Sequence, residues 1–280
     1  MRVIGPATPD GVGIVFDGDL RGSLAPDDAV MIANAFQRHG VLVWRNQSSG
    51  PDDQVRLMAT LGRVLTIPGD PTLPYGYVSN VRPDGTLGER ELTMHSDWSW
   101  WKWPLDGISL AAVEVSDAVS STRFTDNIAA WNDLDETVRE RVVGLQARHV
   151  INTSPNGQNR TEEPDPAQRQ AVHPVVAETP AGDRYLYVNQ TATHSIEGIP
   201  LSDSAALLQL LFDEMYRPEH VYEHEWRSGD VVVWNNRTMQ HARGATAPEH
   251  PRTLSRVVIG ENSLYEMEPE MRGQHLTKKS

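Results

Sequence analysis

The chain of 280 residues carries 25 Lys and Arg against 38 Asp and Glu, a formal net charge of −13. Such a balance argues against a nucleic-acid surface, where Lys and Arg cluster. The absence of cysteine excludes disulfides, thiolate zinc sites, iron–sulfur clusters and a Cys nucleophile. With 39% apolar and 22% charged residues the composition is that of a globular protein. The length allows one large domain or two small ones, and β-rich folds often use it as a single unit. No apolar run approaches the ~18 residues of a membrane span, and the opening Met1 to Asp10 has no apolar signal core. The expectation is a cytoplasmic protein of one domain, residues 1–280, with no nucleic-acid or membrane partner. Any metal must then be held by His and carboxylate.

Val12 to Phe16 reads as a strand closed by the turn Asp17-Gly-Asp19. Pro26 suits a first helical position, and Ala29, Val30, Ile32, Ala33 and Phe36 give helical periodicity up to Gly40. Val41-Leu-Val-Trp44 is a buried strand, and Ser49-Gly-Pro51 opens a helix to about Leu61. From 65 to 91 the chain is rich in Pro, Gly and Asp, a loop insertion with one strand candidate at Tyr77-Val78. Ile108 to Val115 and Arg123-Phe124 read as strands, and Ile128 to Leu134 as a short helix. Residues 152–170 lack periodicity and read as a second loop insertion. Thr179-Pro-Ala-Gly-Asp183 is a hairpin turn into Tyr185-Leu-Tyr-Val188. Ser202 is a candidate N-cap for an apolar helix from Asp203 to Tyr216, stopped by Pro218. Val221 to Trp226, Val231 to Trp234 and Leu254 to Ile259 complete the strands, with Ser228-Gly-Asp230 as a turn. Many short strands with peripheral helices predict a mainly β fold, a sandwich or jelly roll.

Among ten His, one is followed two residues on by a carboxylate: His95-Ser-Asp97. In extended chain such a pair points to one side. A further His from a distant strand would complete the 2-His-1-carboxylate triad of non-haem Fe(II) oxygenases. On its own the motif is weak and reads first as an ordinary polar pair at a strand end. His241 is expected to end a loop just after the buried strand Val231 to Trp234. Arg252 and Arg256 follow, four apart, where the last strand begins. Guanidinium beside a metal site is costly to bury unless it meets an anion, and a carboxylate fits it bidentately.

The sequence resembles the taurine/2,4-dichlorophenoxyacetate dioxygenases from about Gly11 to Gly260. The resemblance lies in Gly40-Val-Leu-Val-Trp-Arg-Asn-Gln47, His95-Ser-Asp97, Ile128-Ala-Ala-Trp131 and Leu186-Tyr-Val-Asn189. It is sharpest in Trp234-Asn-Asn-Arg237 and in His241, followed by Arg252 eleven residues on and Arg256 four further. It implies a double-stranded β-helix, or jelly-roll, fold and the cofactors Fe(II), 2-oxoglutarate and O2. His95, Asp97 and His241 would hold iron, Arg252 and Thr122 the distal carboxylate of 2-oxoglutarate. Arg256 falls where members contact cosubstrate or an anionic substrate group. The implied activity is oxidation, chiefly hydroxylation, of a C–H in a small anionic substrate with release of succinate and CO2. Desaturation or ring closure would need no different ligands, while Asp97 argues against halogenation. Members form dimers or tetramers, and the sequence does not choose.

Three departures accompany the resemblance. Val119-Ser-Ser-Thr122 replaces the usual Gly-Gly-Asp-Thr, Asn235 replaces an Asp, and Ser255 stands where a His is common. Ile67-Pro-Gly-Asp70 lacks the His that taurine-specific members use, which argues against taurine. Trp98, Trp100, Trp101 and Trp103 crowd behind the metal motif, half of the eight Trp. Read as a strand they alternate between faces, so that Trp98 and Trp100 share one side. Trp98 is a candidate aromatic wall for substrate, core packing being the alternative. Two other readings remain: a zinc site at His220-Val-Tyr-Glu-His224, too widely spaced if that segment is a strand, and a jelly roll that binds metal without turnover.

Overall fold

Two antiparallel-dominated sheets packed face to face organise the computed structural model, which describes residues 1–66, 72–88, 90–116, 119–152, 157–247 and 249–268. The larger sheet runs in the order Arg2–Pro6, Ile14–Asp17, Val41–Trp44, Val231–Asn235, Gly107–Val115, Arg252–Ile259, Gly76–Ser79, Gly85–Leu87, with Val64–Leu65 also paired to Arg252–Ile259. The smaller has four strands, Val221–Glu225, Ser121–Asp126, Met239–Arg243 and Leu92–His95. The chain is therefore mainly β with several helices.

Strand alternation builds two cores from the larger sheet. Val41, Val43, Ile108, Leu110, Val232, Trp234, Leu254 and Val258 face the smaller sheet and meet Phe124, Tyr222, Trp226 and Met239. The intervening Leu42, Trp44, Val231, Val233, Val257 and Ile259 face outward. There the helices Pro26–His39 and Pro51–Ala59 cover them with Ile32, Phe36, Leu57 and Met58. Burial on both faces explains why Val41-Leu-Val-Trp44 and Val231-Val-Val-Trp234 are apolar at every position. Trp44 stacks on Phe16 with centroids 5.0 Å apart. A third core joins the helices Asn127–Asp133 and Leu201–Met215 to the strand Gln146–Val150 through Trp131, Ala147, Leu207, Leu211 and Phe212.

Several expectations shift. The first predicted strand spans Ile14–Asp17, paired with an unpredicted strand Arg2–Pro6. The helix Glu136–Val142 and the strands Gln146–Val150 and Thr193–Ile196 were also not predicted. Ser202 is not an N-cap: the helix starts at Leu201 with Pro200 as cap residue and no side-chain cap. The Ser202 hydroxyl instead lies 3.3 Å from the neighbouring Asp203 carboxylate. His241 is not in a loop but inside the strand Met239–Arg243. Residues 98–103 form turns, so their alternation does not apply. The Tyr77-Val78 strand and the Thr179–Asp183 hairpin are present. Within 152–170, residues 157–169 have neither helix nor strand, and 153–156, like Ile67-Pro-Gly-Asp70, lie outside the described residues.

The turn at Gly229 ties the two sheets. Its φ is +76°, and a Cβ there would come 2.7 Å from the Gln47 carbonyl oxygen, so glycine is required. The next residue, Asp230, is 1% exposed. Its carboxylate accepts from Arg45, from the Arg227 N–H at 2.8 Å and from His224 Nε2 at 3.1 Å. It thus binds the end of one larger-sheet strand to an edge strand of the smaller. Asp230→Ala leaves these donors unanswered and is expected to cost about 3–5 kcal/mol in urea unfolding.

His149 is fully buried in the strand Gln146–Val150. Burial, with the His173 ring 5.4 Å away, pushes it down to about 3. The unfolded chain takes up a proton near the ordinary value of ~6.5 where the folded chain does not. Stability is therefore complete above that value and falls as pH drops towards 3. Acidification from pH 7 to 5 is expected to cost about 2 kcal/mol through this residue. His149→Gln should flatten that part of the slope in urea titrations run at several pH values.

Candidate active site

The gap between the sheets opens where Leu92–His95 and Met239–Arg243 pair, His95 lying opposite His241 in register. Strand periodicity directs Met239, His241 and Arg243 to one side of their strand, and Arg252, Leu254, Arg256 and Val258 to one side of theirs. Leu254, Val258 and Met239 belong to the core between the sheets, so the intervening charged residues enter the same space.

His95 ends its strand and Asp97 lies in the turn beyond, yet the two meet: His95 Nε2 is 3.1 Å from Asp97 Oδ1. His241 Nε2 is 3.9 Å from the same oxygen. The imidazole centroids are 4.1 Å apart. His95 Nδ1 lies 2.8 Å from the Thr93 carbonyl, which only accepts, so Nδ1 carries the proton. Nε2 then presents its lone pair to the Asp97 carboxylate. Two facing acceptors are satisfied by a shared cation, and one donor atom from each of His95, Asp97 and His241 lies within 4.8 Å of the others. The donor set, two imidazole nitrogens and a carboxylate oxygen, is the facial-triad set for non-haem Fe(II).

Charge supports the same state. Burial by itself would raise the Asp97 carboxyl, but the Arg256 guanidinium on Oδ2 outweighs it and holds the group well below the usual carboxylate range. Burial, with His95 beside it, pushes His241 well below the ordinary imidazole value, so it is neutral with a lone pair to give. Trp234 flanks the His241 ring at 4.7 Å and Phe124 at 6.5 Å.

His95, Asp97 and Arg256 border two cavities. The inner one, about 40 Å³, is also lined by Thr122, Trp234, His241, Arg243 and Arg252. Arg252 is 3% exposed, and its Nε and Nη1 have no hydrogen-bond partner among the described residues. Burial, then Arg243, push Arg252 down to about 9, so it stays charged at neutral pH. Thr122 Oγ1 accepts from Trp226 Nε1 at 2.9 Å. Because indole only donates, the Thr122 hydroxyl proton is left to be given elsewhere. The outer cavity, about 330 Å³, is walled by Leu87, Leu92, Trp98, Trp100 and Ile151. Trp98 has φ +59°, a left-handed conformation costly for a bulky residue. The turn is held by Asn189, whose Nδ2 donates to Ser99 Oγ at 3.1 Å.

Each sequence-predicted site residue thus reaches this region: His95, Asp97, His241, Thr122, Arg252, Arg256 and Trp98 all line one cavity or both. Arg256 does so already paired with Asp97. His220 and His224 do not converge. His220 bonds Asp133 and the Glu214 carbonyl, whereas His224 bonds Asp230 and Tyr222.

Two contributors escaped the sequence reading as individuals. Asn236, inside Trp234-Asn-Asn-Arg237, accepts from the Asp97 N–H at 2.8 Å and donates to the carbonyls of Asp97 and Leu105, each at 2.9 Å. It fixes the backbone that carries the carboxylate, a role that spacing does not disclose. Arg243 follows His241 by two residues, and period-two alternation could have found it. Ser255, in the departing position, points to the opposite face, where its hydroxyl donates to Gln54 Oε1 at 2.5 Å.

Asn236→Ala is expected to weaken divalent-metal affinity about 10–100-fold, as loss of such outer support does. Co(II) titration of the metal-free protein followed by its visible absorption reads this directly.

Comparison with known proteins agrees with the geometry. The family profile described as taurine catabolism dioxygenase TauD, TfdA family matches residues 4–258. An alpha-ketoglutarate-dependent 2,4-dichlorophenoxyacetate dioxygenase of Burkholderia sp. (strain RASC) is 30% identical, over 82% of this chain and 84% of that protein. An (S)-phenoxypropionate/alpha-ketoglutarate-dioxygenase of Sphingobium herbicidovorans is 31% identical over 74% and 77%. The crystal structure of a taurine dioxygenase from Burkholderia xenovorans superposes with a TM-score of 0.76 at 25% identity, covering 93% of this chain and 91% of that one. The chain belongs to the TauD/TfdA family and is an Fe(II)- and 2-oxoglutarate-dependent dioxygenase.

Proposed function

We propose that His95, Asp97 and His241 hold the iron, that Arg252 and Thr122 receive the distal carboxylate of 2-oxoglutarate, and that the outer cavity takes a small anionic organic substrate for hydroxylation. The observation that carries this reading is the placement of three converging metal-type donors beside a buried guanidinium that has no anionic partner among the described residues. Iron and cosubstrate, when bound, supply O2 activation coupled to conversion of 2-oxoglutarate into succinate and CO2. The protein supplies position and charge. Asn236 fixes the Asp97 backbone, and the Thr93 carbonyl sets the His95 tautomer. Arg256 keeps Asp97 ionised while bordering both cavities.

The outer cavity suits a molecule with an apolar body, since Leu87, Leu92, Trp98, Trp100 and Ile151 form its walls. The relatives named for 2,4-dichlorophenoxyacetate and (S)-phenoxypropionate act on anions of that kind. Trp98 would meet the apolar part and Arg256 would steer the anionic end. A single jelly-roll domain over residues 1–280, a double-stranded β-helix, belongs to the same proposal. The face-to-face packing of the two sheets and the likeness to taurine-dioxygenase structures support it.

Anaerobic titration with Fe(II) and 2-oxoglutarate is expected to produce the weak visible charge-transfer band of a chelated 2-oxo acid. His95→Ala should abolish it, and Arg252→Ala should raise the 2-oxoglutarate needed about a hundredfold, as removal of a buried charge partner does. Iron binding by the wild-type chain without the band would defeat the cosubstrate assignment and favour a metal-binding protein without turnover.

A further inference from the structure

The inner cavity contains one guanidinium more than the cosubstrate site so far described requires. Arg243 projects from the smaller sheet and Arg252 from the larger, and both line this cavity of about 40 Å³. They are 5% and 3% exposed. In each, Nε and Nη1 lack a hydrogen-bond partner among the described residues. Among the described residues the one carboxylate lining the cavity is Asp97, which is already paired with Arg256. Two buried cations facing the same small space without an anion are strongly unfavourable, and an entering carboxylate offers acceptors to both.

The third nitrogen of Arg243 is spoken for. Nη2 donates to the carbonyls of Leu87, at 3.3 Å, and of Arg90. These bonds anchor one edge of the guanidinium and leave Nε and Nη1 unanswered. A purely structural staple would need only the anchored edge and would gain nothing from burying the rest.

Building on the cosubstrate assignment above, we propose that Arg243 is a second guanidinium on the distal carboxylate of 2-oxoglutarate, completing with Arg252 and Thr122 a clamp that spans the two sheets. The clamp makes the distal carboxylate a requirement for cosubstrate choice. Five-carbon 2-oxo acids that lack it should bind to the metal site alone and be indifferent to residue 243.

The test compares 2-oxoglutarate with 2-oxopentanoate, which keeps the chelating 2-oxo acid and chain length but ends in methyl. Dissociation constants are read anaerobically from the charge-transfer band in the Fe(II)-loaded wild type, Arg243→Met and Arg243→Lys. Arg243→Met is expected to weaken 2-oxoglutarate about tenfold or more, the scale of a charge-assisted pair, while leaving 2-oxopentanoate within about twofold. Arg243→Lys should recover part of the loss. Equal weakening of both acids would show that Arg243 only staples Leu87 and Arg90, and unchanged 2-oxoglutarate binding would show that it does not touch the carboxylate. Either result overturns the proposal while the wild-type band upholds the cosubstrate assignment. A wild type that binds Fe(II) but neither acid overturns that assignment itself.

Discussion

Positive charge buried between two sheets is the constraint on which this site rests. Among the described residues, Arg243, Arg252 and Arg256 share the inner cavity with one carboxylate, Asp97. Transfer of such groups out of water is costly unless each meets a counter-charge or a hydrogen-bond acceptor. Asp97 settles Arg256 and is itself held ionised. Arg252 and half of Arg243 are left for something that enters. The fold tolerates that imbalance because Asp230, the Gly229 turn and the Trp234–Phe124–Tyr222 core lock the sheets together around it.

The metal-type donors are shaped by backbone more than by their own side chains. His95 and Asp97 straddle a strand end, and Asn236 and the left-handed Trp98 define the turn between them and the tryptophan cluster. His241 arrives from the neighbouring strand in register with His95. One extra residue in either strand would turn a donor to the other face. The outer helices do not touch this chemistry but fix it from behind. Gln54 of the helix Pro51–Ala59 bonds Ser109 and Ser255, on two adjacent strands of the larger sheet.

Much was legible in the sequence because its signals are local. Val41-Leu-Val-Trp44 and Val231-Val-Val-Trp234 announce strands buried on both faces, and Pro26 and Gly40 bracket a helix. His95-Ser-Asp97 and the spacing of His241, Arg252 and Arg256 marked the site through resemblance. What misled were segments whose local pattern is overruled by neighbours. The run Trp98 to Trp103 alternates like a strand but is bent by the turn after Asp97. Ser202 looks like a cap, yet Leu201 is already helical. Gln146–Val150 is polar along much of its length and is a strand because it pairs with Gln170–Pro174 and Thr193–Ile196.

The inventory is written in the chain alone: no thiols, a His-x-carboxylate pair, a distant His and two arginines four apart, among many short strands. These follow from residue identity and short periodicity, which chemistry and strand geometry constrain directly. Chain packing is what sets Arg256 against Asp97, puts Asn236 under the Asp97 backbone and stands Arg243 with Arg252 in one cavity. Each of those facts depends on which strands lie side by side or face to face. That choice is made by burial summed over the whole chain, and no single segment encodes it.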